Sequence, residues 1–191
     1  VVVATDDDRI IREVESFGGK AVMTSARHRS GTERCAEVLQ NHEGGADVVI
    51  NIQGDEPFID PEKIDVLAAL FSNAQVEIAT LSAKITESSD LDNPNVVKLV
   101  TGKSGKALYF SRSVIPYLRN ATVENRLANF RYMKHIGIYA YRSDVLLKIV
   151  KLEPGHLETA ESLEQLRWLE HGFSIFVSET ESGGFAVDTP Q

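Results

Sequence analysis

The stretch Asp47 to Pro57, DVVINIQGDEP, limits what this chain can be more than any other. Val48-Val49-Ile50, with Ile52 beyond, is a short β-branched run of the kind found in strands buried on both faces, as in a parallel sheet. The run stops at Gln53-Gly54-Asp55-Glu56-Pro57. Gly54 allows a sharp turn and the close approach of a ligand. Two adjacent carboxylates then follow the carboxyl end of a central strand, the edge where open α/β sheets bind ligands. Asp55 is placed to hold a divalent cation, since hard cations prefer carboxylate oxygens. Asp55 and Glu56 also fit a plain turn leading into the next helix.

The flanking sequence supplies the rest of such a sheet. Val1 to Thr5 reads as a buried strand, and Asp6-Asp7-Asp8 as acidic charges at a helix start, where they suit the positive end of the dipole. Ile10, Ile11, Val14 and Phe17 form one helix face, which stops at Gly18-Gly19. Lys20 to Thr24 is a second strand. Asp60-Pro61 opens a helix as N-cap and first residue, and Ile64, Leu67, Ala68 and Phe71 give it an apolar face. Val76 to Ser82 is a further strand. This β-α-β-α-β-α-β order predicts an α/β fold with a doubly wound, Rossmann-like, mostly parallel sheet.

Between the second strand and the central one lies a polar, basic loop, Ser25 to Arg34. Ser30-Gly31-Thr32-Glu33 fits a capping box, with Ser30 as N-cap and Glu33 reaching back. Cys35, Val38 and Leu39 continue as a helical stripe, so Cys35 reads as a buried structural thiol. The box accounts for Ser30 and Glu33 but not for Arg27, His28 and Arg29 beside them. Backbone N–H groups at this helix start, with Gly31 allowing close approach, could cradle the polar edge of a nucleotide. His28 by itself reads as a surface histidine.

From about Ala83 to Arg142 the pattern turns antiparallel, with strands at Val96–Val100, Lys106–Ser111 and His135–Tyr141 around turns at Asn93-Pro94-Asn95 and Gly102–Gly105. This section, 83–142, reads as an insertion exposing Tyr109, Phe110, Ile115 and Tyr117, which suits a dimer interface. Arg112 follows the aromatic strand; its fork suits a carboxylate or phosphate, or a surface ion pair. Ser143 is expected to cap a helix that ends at Pro154-Gly155. One further helix is predicted over Leu157–His171, then a strand at Ser174–Ser178. Gly183 to Val187 leads to Asp188, which repeats the placement of Asp55, and two such carboxylates could share a metal. Thr189-Pro190 reads as a helix start.

The net charge of −8 argues against a nucleic-acid polymer or an anionic membrane as main partner. One cysteine allows no disulfide framework and fits a reducing, cytoplasmic home. No apolar run approaches a membrane span of ~20 residues. The chain reads as a single domain, 1–191, cut from a longer protein.

The ordered set VVVATDD at the start, HRSGTER at 28–34, VINIQGDEP at 49–57, NPNVVK at 93–98, ALYFSRSVIPY at 107–117, KHIGIYAYR at 134–142, LEQLRWLEHG at 163–172 and GFAVDTP at 184–190 resembles the 3-deoxy-manno-octulosonate (Kdo) cytidylyltransferases of lipopolysaccharide biosynthesis. The resemblance implies transfer from CTP to Kdo, giving CMP-Kdo and pyrophosphate with Mg²⁺, in a homodimer. It implies Asp55 and Asp188 as the catalytic metal pair, and Ser30 and Gly31 in the cytidine pocket. It implies Gln53, Arg112, His135, Tyr139, Glu164 and Gln165 in the sugar-acid pocket, with Glu161 as an alternative to Glu164. Two departures stand out. Arg27 occupies a place that is usually acidic, and the family's N-terminal strand and basic triphosphate loop precede Val1, so the chain alone is expected to be inactive. A sialic-acid-type cytidylyltransferase and a non-catalytic nucleotide-binding or dimerisation module are the alternatives. The KHIGIYAYR and LEQLR segments favour Kdo over sialic acid.

Overall fold

The computed structural model describes residues 1–41, 45–54 and 59–181. Asp55, Glu56 and Asp188, and the helix start at Thr189-Pro190, lie outside the described residues. The chain begins with β1 (Val3–Thr5), α1 (Asp8–Ser16), β2 (Ala21–Met23), α2 (Gly31–Asn41), β3 (Val48–Asn51), α3 (Pro61–Leu70) and β4 (Ile78–Lys84). Then come α4 (Ser88–Asp92), β5 (Lys98–Thr101), β6 (Ala107–Ser111), α5 (Arg126–Asn129) and β7 (Met133–Arg142). The last elements are α6 (Ser143–Ile149), α7 (His156–Glu161), α8 (Glu164–Glu170) and β8 (Ile175–Glu179).

Local chemistry sets the helix ends. The Asp7 carboxylate accepts the Arg9 backbone N–H at 2.8 Å, so the acidic triplet does start α1. Gly18 takes a φ of 78° beyond its end. Asp60 accepts the Glu62 N–H at 3.0 Å, with Pro61 as the first residue of α3. Ser143 is not the cap expected: α6 begins on it after Arg142, and its hydroxyl donates instead to the Ala46 carbonyl.

The α/β class is the one expected, but its strands are arranged differently. β1 and β2 form a parallel pair of their own. The larger sheet runs β6-β5-β7-β4-β8, with β3 beside β7. β7 pairs antiparallel with both β3 and β4, while β4 and β8 are parallel. β3, β4 and β8 therefore share a direction, but β7 separates the first two. The end of the 83–142 section thus lies inside the main sheet. Asn51 and Thr80, from opposite neighbours, are both in register with Tyr139.

The sheet is covered on both faces. Tyr139, Tyr141, Phe110 and Ile78 pack with Ala36 of α2, Leu146 and Ile149 of α6, and Leu166 and Trp168 of α8. Ala79, Leu81, Ile138 and Ala140 pack on Leu67 of α3. Trp168, 1% exposed, meets the rings of Tyr139 and Tyr141 edge-on at 5.1 and 5.6 Å. Phe110, expected at the surface, is fully buried. Cys35 packs against the same core, and burial pushes its thiol up to about 11, as befits an inert structural thiol.

The single helix expected over Leu157–His171 is broken. α7 stops at Ser162, a non-glycine residue with a left-handed φ of 52°, and α8 starts two residues later. Nothing in the local sequence forbids a continuous helix, and across the break the Arg112 guanidinium donates to the carbonyls of Glu161 and Ser162.

Candidate active site

The start of α2 meets the start of α8. Ser30 Oγ accepts the Glu33 N–H at 3.3 Å, and the Glu33 carboxylate accepts the Arg29 N–H at 2.8 Å, so the capping box is present but reaches one residue further back. Ser30 Oγ also donates to Glu164 Oε1 at 2.9 Å, and Thr32 Oγ1 donates to Glu164 Oε2 at 2.8 Å. Burial raises the Glu164 pKa above its ordinary value, against the pull of these two hydroxyls. A Cβ on Gly31 would lie 3.4 Å from the Asn51 amide, so the glycine lets the end of β3 nest against this helix start. Behind the turn, His28 pairs with Glu37, whose carboxylate also accepts the Ser25 N–H at 2.9 Å. His28 is therefore a fastener between the loop and α2. An open cavity of about 480 Å³ is lined by Ser30, Glu164, Arg29 and Arg167, among others.

A second group gathers where β7 bulges. Thr80 pairs with Tyr139 and Leu81 with Ile136, so Gly137 and Ile138 are extra on β7. Thr80 Oγ1 donates to the Ile138 carbonyl at 2.7 Å and lies 3.0 Å from His135 Nε2. His135 sits 5.3 Å from the Phe110 ring and 5.2 Å from Tyr139, and burial lowers its pKa to about 4, so it is neutral at pH 7. A Cβ on Gly137 would lie 3.5 Å from Gln53 Nε2, which puts the Gln53 amide against the bulge. Tyr139 is 5% exposed and Tyr141 is fully buried, and burial holds both phenols protonated well above the ordinary tyrosine range. Gln165, 6% exposed, follows Glu164 in the first turn of α8.

Arg112 stands at a third point. Its guanidinium donates to the carbonyls of Glu161 at 2.7 Å, Pro94 at 3.0 Å and Ser162 at 3.3 Å. Glu161 and Glu164, interchangeable in the sequence, separate here: Glu161 accepts from Ser111 and the Arg112 N–H, whereas Glu164 faces Ser30 and Thr32. Sequence reasoning missed Thr32, Asn51 and Thr80. The one available signal was Gly137 inside an apolar strand, a mark of a bulge or of close backbone approach. No group of three or more metal-ligating side chains occurs among the described residues, and no helix there is long and apolar enough to cross a membrane.

An α/β sheet with polar side chains converging at strand ends and helix starts is a ligand-binding arrangement, and the proteins this chain matches are nucleotidyltransferases. The family profile described as Cytidylyltransferase matches residues 1–178. The 3-deoxy-manno-octulosonate cytidylyltransferase of Cytophaga hutchinsonii is 52% identical over 192 residues, covering 100% of this chain and 76% of its own length. That of Thermodesulfovibrio yellowstonii is 49% identical over 197 residues, covering 100% and 77%. A solved structure of CMP:2-keto-3-deoxy-manno-octonic acid synthetase complexed with CTP superposes with a TM-score of 0.90 at 45% identity, over 100% of this chain and 76% of that one. The 4-diphosphocytidyl-2C-methyl-D-erythritol synthase of Anaerococcus prevotii, at 13% identity and a TM-score of 0.58, shares the fold over 98% of this chain and 74% of its own. The chain belongs to the 3-deoxy-manno-octulosonate cytidylyltransferase family.

Proposed function

We propose that this protein transfers the cytidylyl group of CTP to Kdo. The anomeric hydroxyl oxygen of the sugar acid forms a bond to the α-phosphorus, the bond from that phosphorus to the α–β bridging oxygen breaks, and pyrophosphate leaves. The hydroxyl proton passes to solvent. The supporting observation is whole-chain identity of about half to relatives bearing that name. No covalent nucleophile is needed; positioning and charge stabilisation suffice for such chemistry.

In this reading Ser30 and Gly31 bind the cytidine at the start of α2. Gln53, neutral His135 and Tyr139 hydrogen-bond sugar hydroxyls beside the bulge, with Glu164 and Gln165 facing them from α8. A guanidinium has five N–H groups; those of Arg112 not given to carbonyls would meet the sugar carboxylate. Asp55 and Asp188 would hold Mg²⁺, whose charge offsets that of the phosphates. The setting is the cytoplasmic stage of lipopolysaccharide biosynthesis. A homodimer through 83–142 is supported by exposed Leu108, Tyr117 and Val123, and sedimentation as a monomer at micromolar concentration would remove it.

The test is pyrophosphate release by the full-length protein from CTP with Kdo, with sialic acid and with no acceptor. Release with Kdo alone is expected. Preference for sialic acid would change the substrate, and no release with either would overturn the reading.

A further inference from the structure

Ser162 takes a conformation that serine seldom adopts, and its surroundings explain how it is kept there. A left-handed φ of 52° crowds the Cβ against the backbone, and glycine is the usual occupant of such a position after a helix end. Around it, Glu161 Oε1 accepts from Ser111 Oγ at 2.6 Å and Oε2 accepts the Arg112 backbone N–H at 2.9 Å. The Arg112 guanidinium returns to the carbonyls of Glu161 and Ser162 at 2.7 and 3.3 Å, and reaches the Pro94 carbonyl at 3.0 Å. One carboxylate and one guanidinium thus tie the end of β6 and the turn before β5 to the α7–α8 break.

The break has a consequence at the site. Were α7 continued through Ser162, the chain would turn by the ordinary helical step and Glu164 would leave its present direction. Because Ser162 takes the left-handed conformation and α8 starts anew, the carboxylate of Glu164 points at the hydroxyls of Ser30 and Thr32, and Gln165 is buried next to it in the chain.

We propose that Glu161 is a positioning residue: by gripping Ser111 and Arg112 it holds Ser162 in the left-handed turn that aims Glu164 at Ser30 and Thr32 in the substrate site. It touches no reacting atom. The activity arm of its test rests on the cytidylyl-transfer reading; the stability arm does not.

The experiment compares the full-length protein with Glu161→Gln, Ser162→Gly and the double variant. The Glu161→Gln change removes one of the two acceptor oxygens, while glycine at 162 adopts the turn without help. Glu161→Gln is expected to raise KM for the sugar acid about ten-fold with kcat changed much less, since a positioning loss acts on binding. Partial unfolding alone would lower apparent kcat and leave KM in place. Adding Ser162→Gly is expected to recover most of the KM and of the lost thermal stability, and to stabilise the Glu161→Gln background more than the wild type, the coupling that a double-mutant cycle reads. Wild-type KM in folded Glu161→Gln, or a double variant no better than Glu161→Gln, would overturn the proposal. If the wild type transfers no cytidylyl group, the functional reading falls, and the melting comparison alone judges the clamp: coupled recovery upholds it, additive effects overturn it.

Discussion

The carboxylate of Glu164 accepts the hydroxyl of Ser30 at 2.9 Å, across a sequence separation of 134 residues. The bond joins two helix starts, and Thr32 completes it. Glu164→Ala leaves two partly buried hydroxyls without their acceptor, so a loss of about 1–3 kcal/mol is expected in denaturant unfolding. Glu164→Gln should behave differently with pH. Burial raises the pKa of Glu164, so the folded state keeps its proton longer than the unfolded chain. That contribution is full below the ordinary value near 4.5 and is lost as pH rises through the folded pKa. The stability of Glu164→Gln relative to wild type should therefore improve as pH rises through this window; a flat difference would show that the carboxyl is not shifted.

His135 gives the opposite sign. Its pKa falls from 6.5 to about 4, so the unfolded chain takes up the proton first on acidification. The stability gained by keeping the ring neutral is present above 6.5 and is lost as pH falls toward 4. His135→Gln should reduce the slope of unfolding free energy between pH 6.5 and pH 4, the range between the unfolded and folded values. Equal slopes in wild type and variant would refute the neutral ring. Thr80→Val removes the group that bridges His135 and Ile138 and should cost about 1–3 kcal/mol, with Thr80→Ser recovering most of it.

Asp55 and Asp188 are expected to act as one unit on Mg²⁺. Asp55→Asn and Asp188→Asn should each remove most of kcat in the full-length enzyme, and the double variant should lose little more, because groups acting together are non-additive. Calorimetric titration with Mg²⁺ in the presence of CTP should lose its binding signal in either variant. Strictly multiplicative losses in kcat would leave the metal role to Asp55 alone.

Much of this architecture was legible from local pattern. The strand at Val48–Asn51, the acidic start of α1, the cap Asp60 and the start of α2 all follow from residues within a few positions of one another. The position of β7 was not legible: its apolar run announces a strand but does not name its neighbours. The break at Ser162 was hidden because the contacts that hold it come from Pro94, Ser111 and Arg112. Likewise the capping box accounted for Ser30, and nothing local announced its second bond to Glu164.

The place of β7 also bears on how the molecule forms. β3 and β4 cannot be bridged until a segment 82 residues beyond Asn51, beginning at Met133, arrives between them. Closing so long a loop precedes any reward from the contacts it makes, and topologies of this kind fold slowly. Until then the facing edges of β3 and β4 stand open to strands of other chains. A chain emerging from the ribosome must therefore carry both edges unpaired through the synthesis of the whole 83–142 section, which makes that interval the one in which a chaperone would matter most.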